Sequence, residues 1–435
     1  MKRLAFFSPV PPAATGVADY AVDVLSLLVP RYAVDVFHDQ AAPERDRLPA
    51  GAGVHQHPEF AARQAAQPYD LAVYQMGNGP AHDFVYEPLV RVPGLLVLHD
   101  LVLHHARGRM FLDAPEARAY ARDPGRADAR AAAAAVLGRY AAEVAYSYPS
   151  QGSRLVEAHL GTVGDLLPYA YPLFRLPVEA SRAVAVHNEF MAQAIVAEVP
   201  GSDVVRIPMP MQPLPVAGAA VEALRRRYAV AANDFVVGTF GLVTREKRVD
   251  TVARAVARAA TLHPGVRLLV VGPVADRGAL EARLSALGLA ARAIVTGRVP
   301  FSELAAHIEI ADAVAHLRYP TARETSAALL RVLAQGRATI MADLEHLADV
   351  PRDAVVRVDV SDEEGEVTRA ILKLAGSPSW RARLGGAARA FVEREHAPAR
   401  TAEAYANAIE HAAARAAPSV PVPAWPPQWA ALARN

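Results

Sequence analysis

FVVGTFGLVTREKRVDTVARAVA, residues 235–257, opens as a short apolar run, breaks at Gly241, crosses a polar loop with Arg245, Lys247 and Arg248, and resumes with Val249, Val252 and Val256 at helical spacing. Strand, glycine, loop and helix in that order are the repeating unit of a parallel sheet covered by helices. The same alternation extends outward in both directions. The strand candidates of the first half are residues 4–8, 34–38, 71–75, 95–98, 183–187 and 204–207. Those of the second half are residues 235–240, 268–271, 293–296, 313–317, 339–341 and 355–358. Each half reads as one doubly wound unit, so the expected class is α/β with two Rossmann-like parallel-sheet domains.

Length and composition agree. A chain of 435 residues exceeds one ordinary core, and 52% hydrophobic against 21% charged residues describes a globular protein. Pro208, Pro210, Pro213 and Pro215 interrupt regular structure after the last first-half strand, which places the boundary near residue 212. The expected domains are 1–212, with inserted helices at about 113–145, and 213–397. A helix then starts near Pro398 and is expected to pack back on the first domain. Beyond it a tail with Pro418, Pro421, Pro423, Pro426 and Pro427 reads as irregular.

With 46 basic and 45 acidic residues the formal charge is +1, which gives no broad positive field for nucleic acid. There is no cysteine, so thiolate metal sites, disulfides and cysteine nucleophiles are excluded. The opening MKRLAFFSPVPP is cut by prolines before its apolar run reaches signal-peptide length, and no window has about 18 uninterrupted apolar residues. A cytoplasmic protein is expected, with attachment to the inner membrane surface left open and the oligomeric state unread.

Four segments can carry chemistry. In SPVPPAATGVADY, Gly16 lets backbone approach a ligand at a helix start or serves only as turn chemistry. LLVLHDLVLHH puts His99 and Asp100 just past a strand end, where open α/β sheets bind ligands. The spacing of His99, Asp100, His104 and His105 matches no standard metal motif, and capping or packing is the alternative. The loop after Gly241 suits an anion, with cationic side chains beside a helix N-terminus. Only Lys2, Lys247 and Lys373 are lysine among the 46 basic residues, which favours a compact charge at 247. Finally, in LRYPTARETSAALLRVLAQG the residues Glu324, Thr325 and Ser326 begin an apolar helix. On that reading Arg331 lies two turns, about 10 Å, along the same face.

At these residues the sequence resembles the retaining GT-B-fold glycosyltransferases of family 4, the glycosyl transferases group 1. The matching pieces are SPVPPAATGVADY, YQMGNGPAHDFVYEPLVRVPG leading into VLHD, GLVTREKR, and RYPTARETSAALLRVLAQG. The resemblance implies domains facing across a cleft, the second holding a nucleotide-diphosphate sugar, UDP- or GDP-linked, and the first a carbohydrate or lipid-linked acceptor. It implies no cofactor and no metal. Carried over by position, Gly16 lies against the diphosphate, His99 beside the transferring sugar, Lys247 on the diphosphate and Glu324 on the sugar hydroxyls, with Gly241 a further donor-binding residue. Thr325 and Ser326 line the phosphates, and Asn78, Asp100 and His104 are acceptor-side candidates. The chain departs from the pattern twice. Leu242 replaces an arginine, which leaves its charge to Arg245 or Arg248, and Arg331 replaces the glutamate that holds ribose. The expected reaction is sugar transfer with retention, the leaving diphosphate being neutralised by protein cations. A phosphorylase, a sugar-nucleotide epimerase and a non-catalytic binding protein on the same fold stay as alternatives.

Overall fold

A computed structural model describes residues 1–161 and 166–420. The tail from Pro421 onward, read above as irregular, lies outside the described residues. The chain divides into two compact units, Met1–Pro210 with Ala322–Thr325 and the C-terminal segment from Ala399, and Met211–Thr321 with Ser326–Pro398.

The first unit is built on strands β1 (Arg3–Phe7), β2 (Ala33–His38), β3 (Gly53–Gln56), β4 (Leu71–Met76), β5 (Leu95–Leu98), β6 (Ala183–Val186) and β7 (Val204–Arg206). They form one parallel sheet in the order β3-β2-β1-β4-β5-β6-β7. The second unit carries β8 (Phe235–Phe240), β9 (Val266–Val271), β10 (Ala293–Gly297), β11 (Ala313–His316), β12 (Ala338–Ala342) and β13 (Val356–Val358), parallel in the order β10-β9-β8-β11-β12-β13. Two Rossmann-like sheets with helices are what the apolar runs imply, because central strands buried on both faces read as continuous hydrophobic stretches. Strand β3 escaped that reading. It is an edge strand of sequence GVHQ, half-buried throughout, with no apolar run to mark it. No helix among the described residues is long and apolar enough to cross a membrane.

In both sheets the strand order reverses between the first strand and its neighbour, β1 and β4 in one unit, β8 and β11 in the other. Open α/β sheets hold ligands beyond the carboxyl ends of such a pair, where the loops part to opposite faces.

Helices Pro115–Arg122 and Ala127–Ser147 lie in the alanine- and arginine-rich stretch of the first unit, and they share a core of Phe111, Val136, Tyr140, Val144 and Leu155 with their neighbours. A buried ion pair anchors the second of them. Arg107 Nη2 donates to Glu143 Oε2 at 2.7 Å, its Nε bonds Glu143 Oε1, and its guanidinium lies 3.8 Å from the Tyr86 ring centre. Removing one partner strands the other charge in the core, so Arg107→Ala is expected to cost about 3–5 kcal/mol by denaturant titration. Replacing both, as Arg107→Met with Glu143→Leu, is expected to recover most of that loss, and a double variant as unstable as the single one contradicts the assignment.

The helix Pro398–Ala414 is fixed within the first unit by hydrogen bonds. Thr401 Oγ1 donates to Pro208 O at 3.0 Å, and the buried Tyr405 hydroxyl lies 2.5 Å from that of Tyr20. Gln75 Nε2 donates to the same Tyr405 hydroxyl at 3.4 Å.

Candidate active site

The loop that leaves β8 is shaped by backbone before side chains. Gly241 has φ +109°, and its N–H donates to Val271 O at 2.9 Å. Gly272, at φ +144°, passes so close that a Cβ there would stand 2.1 Å from Gly241 O. Only glycine fits that crossing. Val243 N–H then donates to Pro273 O at 2.9 Å, and a single turn, Arg245–Lys247, carries the chain into helix Val249–Leu262. No side chain caps that helix, whose first residue follows Arg248 at φ 55°.

The three loop cations separate. Lys247 folds back under the glycine, its Nζ 3.4 Å from where a Cβ on Gly241 would sit. Arg248 turns away, its Nε donating to the buried Glu363 at 2.8 Å, so it does not supply the charge that Leu242 lacks. Arg245 is exposed, and Leu242 itself is 53% exposed. At the end of β11 the buried His316 is held neutral, far below the ordinary histidine range, by burial first and then by Lys247, Arg318 and His346. His316, Arg318 and His346 carried no sequence signal; they lie at one place only because β11 pairs with β8 and β12.

The segment after β11 corrects one expectation. Its helix runs Ala327–Ala334 and begins one residue after Ser326, whose extended backbone and hydroxyl form the N-cap by accepting the Leu329 N–H at 3.3 Å. Glu324 therefore precedes the helix, and the two-turn spacing to Arg331 does not apply. Ala322–Thr325 belong with the first unit. There Leu101 N–H donates to Ala322 O at 2.9 Å, and Asn188 Nδ2 donates both to Arg323 O at 3.0 Å and to Thr325 Oγ1 at 3.1 Å. Arg331 stays with the second unit, its guanidinium 5.3 Å from the ring centre of the half-exposed Phe301. Phe301, which the sequence reading missed, gives that position an aromatic and cationic surface.

In the first unit Gly16 is the first residue of helix Gly16–Leu28, capped by Thr15, with open space where a Cβ would stand. His99 occupies the end of β5, buried and fully engaged. Its Nε2 lies 2.9 Å from Gln75 Oε1 and its Nδ1 lies 3.1 Å from His187 Nε2, while His187 Nδ1 lies 2.8 Å from Ile207 O. Burial, then His187 and His82, push its pKa far down. Both ring nitrogens are thus engaged within the first unit, and burial holds the ring neutral. Gln75 and His187, which hold it, sit on neighbouring strand ends that only the sheet order brings together.

His104 must be withdrawn as an acceptor-side residue. It is completely buried, with Nδ1 2.5 Å from Tyr171 O and Nε2 bonded to the Tyr140 hydroxyl, and burial pushes its pKa down to about 3. Neither nitrogen faces solvent. Asn78 and Asp100 fasten two loops: Asn78 N–H donates to Asp100 Oδ2 at 2.8 Å, and Asn78 Oδ1 accepts the Ala106 N–H at 3.1 Å. His105 packs its ring against Tyr169, centres 4.7 Å apart.

Residues 234–377 match the model of the family described as Glycosyl transferases group 1. Among solved structures, HepE of Anabaena in complex with UDP and glucose superposes with a TM-score of 0.64 at 15% identity, covering 94% of this chain and all of that one (100%). Sucrose-phosphate synthase from Thermosynechococcus elongatus gives 0.61 at 16% identity, over 94% and 98% of the two chains. WaaG, a glycosyltransferase involved in lipopolysaccharide biosynthesis, gives 0.58 at 13% identity, over 92% and 98%. No curated protein matches the chain by sequence. The fold is that of the GT-B glycosyltransferases.

Proposed function

We propose, from the match of residues 234–377 to the model of the Glycosyl transferases group 1 family, that this chain transfers a sugar from a nucleotide-diphosphate donor, UDP- or GDP-linked, to a carbohydrate or lipid-linked acceptor with retention of configuration. The single observation that carries the reading is Lys247 folded against Gly241 at the strand pair where the second sheet reverses order. HepE, whose solved complex contains UDP and glucose, supports the donor class.

In this reading the second unit binds the donor and the first unit presents the acceptor. The diphosphate lies over Gly241, whose missing side chain leaves room for it, with Lys247 Nζ on its oxygens. Negative charge grows on those oxygens as the glycosidic bond breaks, and a fixed ammonium group there is stronger on the transition state than on the ground state. In the same unit Ser326 lines the phosphates, and Arg331 with Phe301 meets the nucleoside. The bond broken joins C1 of the sugar to the diphosphate oxygen. The bond formed joins C1 to the acceptor oxygen on the same face, and the acceptor proton leaves toward the departing diphosphate. No protein nucleophile or metal ion is assigned to the step.

Incubating the protein with a panel of UDP- and GDP-sugars tests this, with product configuration read by proton NMR and with or without a chelator. An α-linked donor is expected to give an α-linked product at a rate the chelator leaves unchanged. An inverted product, or activity abolished by chelation and restored by manganese, contradicts the reading.

A further inference from the structure

We infer that Arg318 is a further donor-binding residue, the second cation on the diphosphate beside Lys247; this rests on the donor reading above. Strands β8 and β11 run side by side with Val237 opposite Ala313 and Gly238 opposite Val314, so the loops leaving their carboxyl ends travel together. A hydrogen bond joins those loops: Tyr319 N–H donates to Glu246 O at 2.8 Å. Arg318 immediately precedes the donor residue and Lys247 immediately follows the acceptor residue, so the bond brings two cation-bearing positions together, one from each strand of the reversal.

The other loop cations do not meet this geometry. Arg248 is committed to Glu363 and Arg245 projects into solvent. Leu242, the first residue past the glycine, is exposed and carries no charge. Arg318 is half-buried, and its Nε is shielded from solvent. Both Lys247 and Arg318 act on the same buried imidazole, His316, which they help to hold neutral. Cations converging from adjacent strand ends make a concentrated positive field suited to a polyanion, and a guanidinium adds paired donors that match two phosphate oxygens. Arg318 thus takes the charge that neither Leu242 nor Arg248 supplies.

The test titrates wild type, Arg318→Met, Arg318→Lys and Lys247→Ala with inorganic pyrophosphate, UDP, GDP and UMP by calorimetry, after melting curves establish which variants are folded. Arg318→Met is expected to weaken pyrophosphate and the better-binding nucleoside diphosphate by about 10- to 100-fold, the range for a lost bond to a charged group, with a smaller loss for UMP. If Arg318→Met does not fold, Arg318→Lys is read instead and is expected to lose at least about threefold, because a single ammonium cannot reproduce the paired contact. Lys247→Ala weakening binding while both folded Arg318 variants stay within about twofold of wild type overturns the inference and leaves the donor reading standing. Wild type binding none of the four probes overturns both.

Discussion

Lys247→Ala is expected to lower kcat by about 10²- to 10³-fold with the donor saturating and with the melting temperature little changed. The expectation follows from where the side chain sits. Lys247 is half-buried in a one-turn loop, and its amine lies against Gly241 instead of extending into solvent. A preorganised cation at a developing negative charge needs no reorganisation during the reaction, so its loss appears mainly in kcat. Lys247→Arg is expected to recover only part of the rate, since a planar guanidinium does not fit the space of a compact ammonium. Alanine at this position with near-normal turnover removes the anion loop from the mechanism.

Acid is expected to unfold the protein well before its carboxylates are protonated. His99 and His316 are buried with pKa values far below the ordinary 6.5, His82 is held at about 4 and His104 at about 3, burial being the first cause in each. In the unfolded chain all of them titrate near the ordinary value. Between about pH 6.5 and pH 4 the unfolded state therefore binds protons that the folded state refuses, and stability falls as pH falls. Each imidazole contributes on the order of 1 kcal/mol per pH unit across that window, so together they remove about 4 kcal/mol per unit. The melting temperature is expected to drop by roughly 5 °C from pH 6.5 to 5.5. The drop should shrink in a His104→Phe variant that still folds. A melting temperature flat between pH 7 and pH 5 contradicts the assignment of these rings as buried and neutral.

The fold was readable because the central strands of both sheets are buried on two faces and so appear as unbroken apolar runs, as in residues 235–240 and 95–98. The edge strand Gly53–Gln56 was not, since partial exposure lets histidine and glutamine stand where a central strand needs apolar side chains. In the loop after β8, the pairing of Gly241 with Lys247 was legible: a glycine at a strand end and a cation a few residues on form a local pattern. Arg318, His316, Gln75 and His187 were not legible, because their neighbours are far along the chain and meet them only through the sheet order. His104 shows the opposite error. Next to His99 and Asp100 it looked chemical, yet its bonds to Tyr171 and Tyr140 make it part of the helical core. The helix start at Ala327 was misread because capping by Ser326 and a helix beginning at Glu324 leave the same residue types in the same order.

The most direct measurement is a crystal structure with UDP or GDP bound. The account predicts diphosphate oxygens over Gly241, within hydrogen-bonding distance of Lys247 Nζ, at the carboxyl ends of the two strands where the second sheet reverses. A nucleotide seated elsewhere, with that loop empty and Lys247 still folded on the glycine, contradicts it.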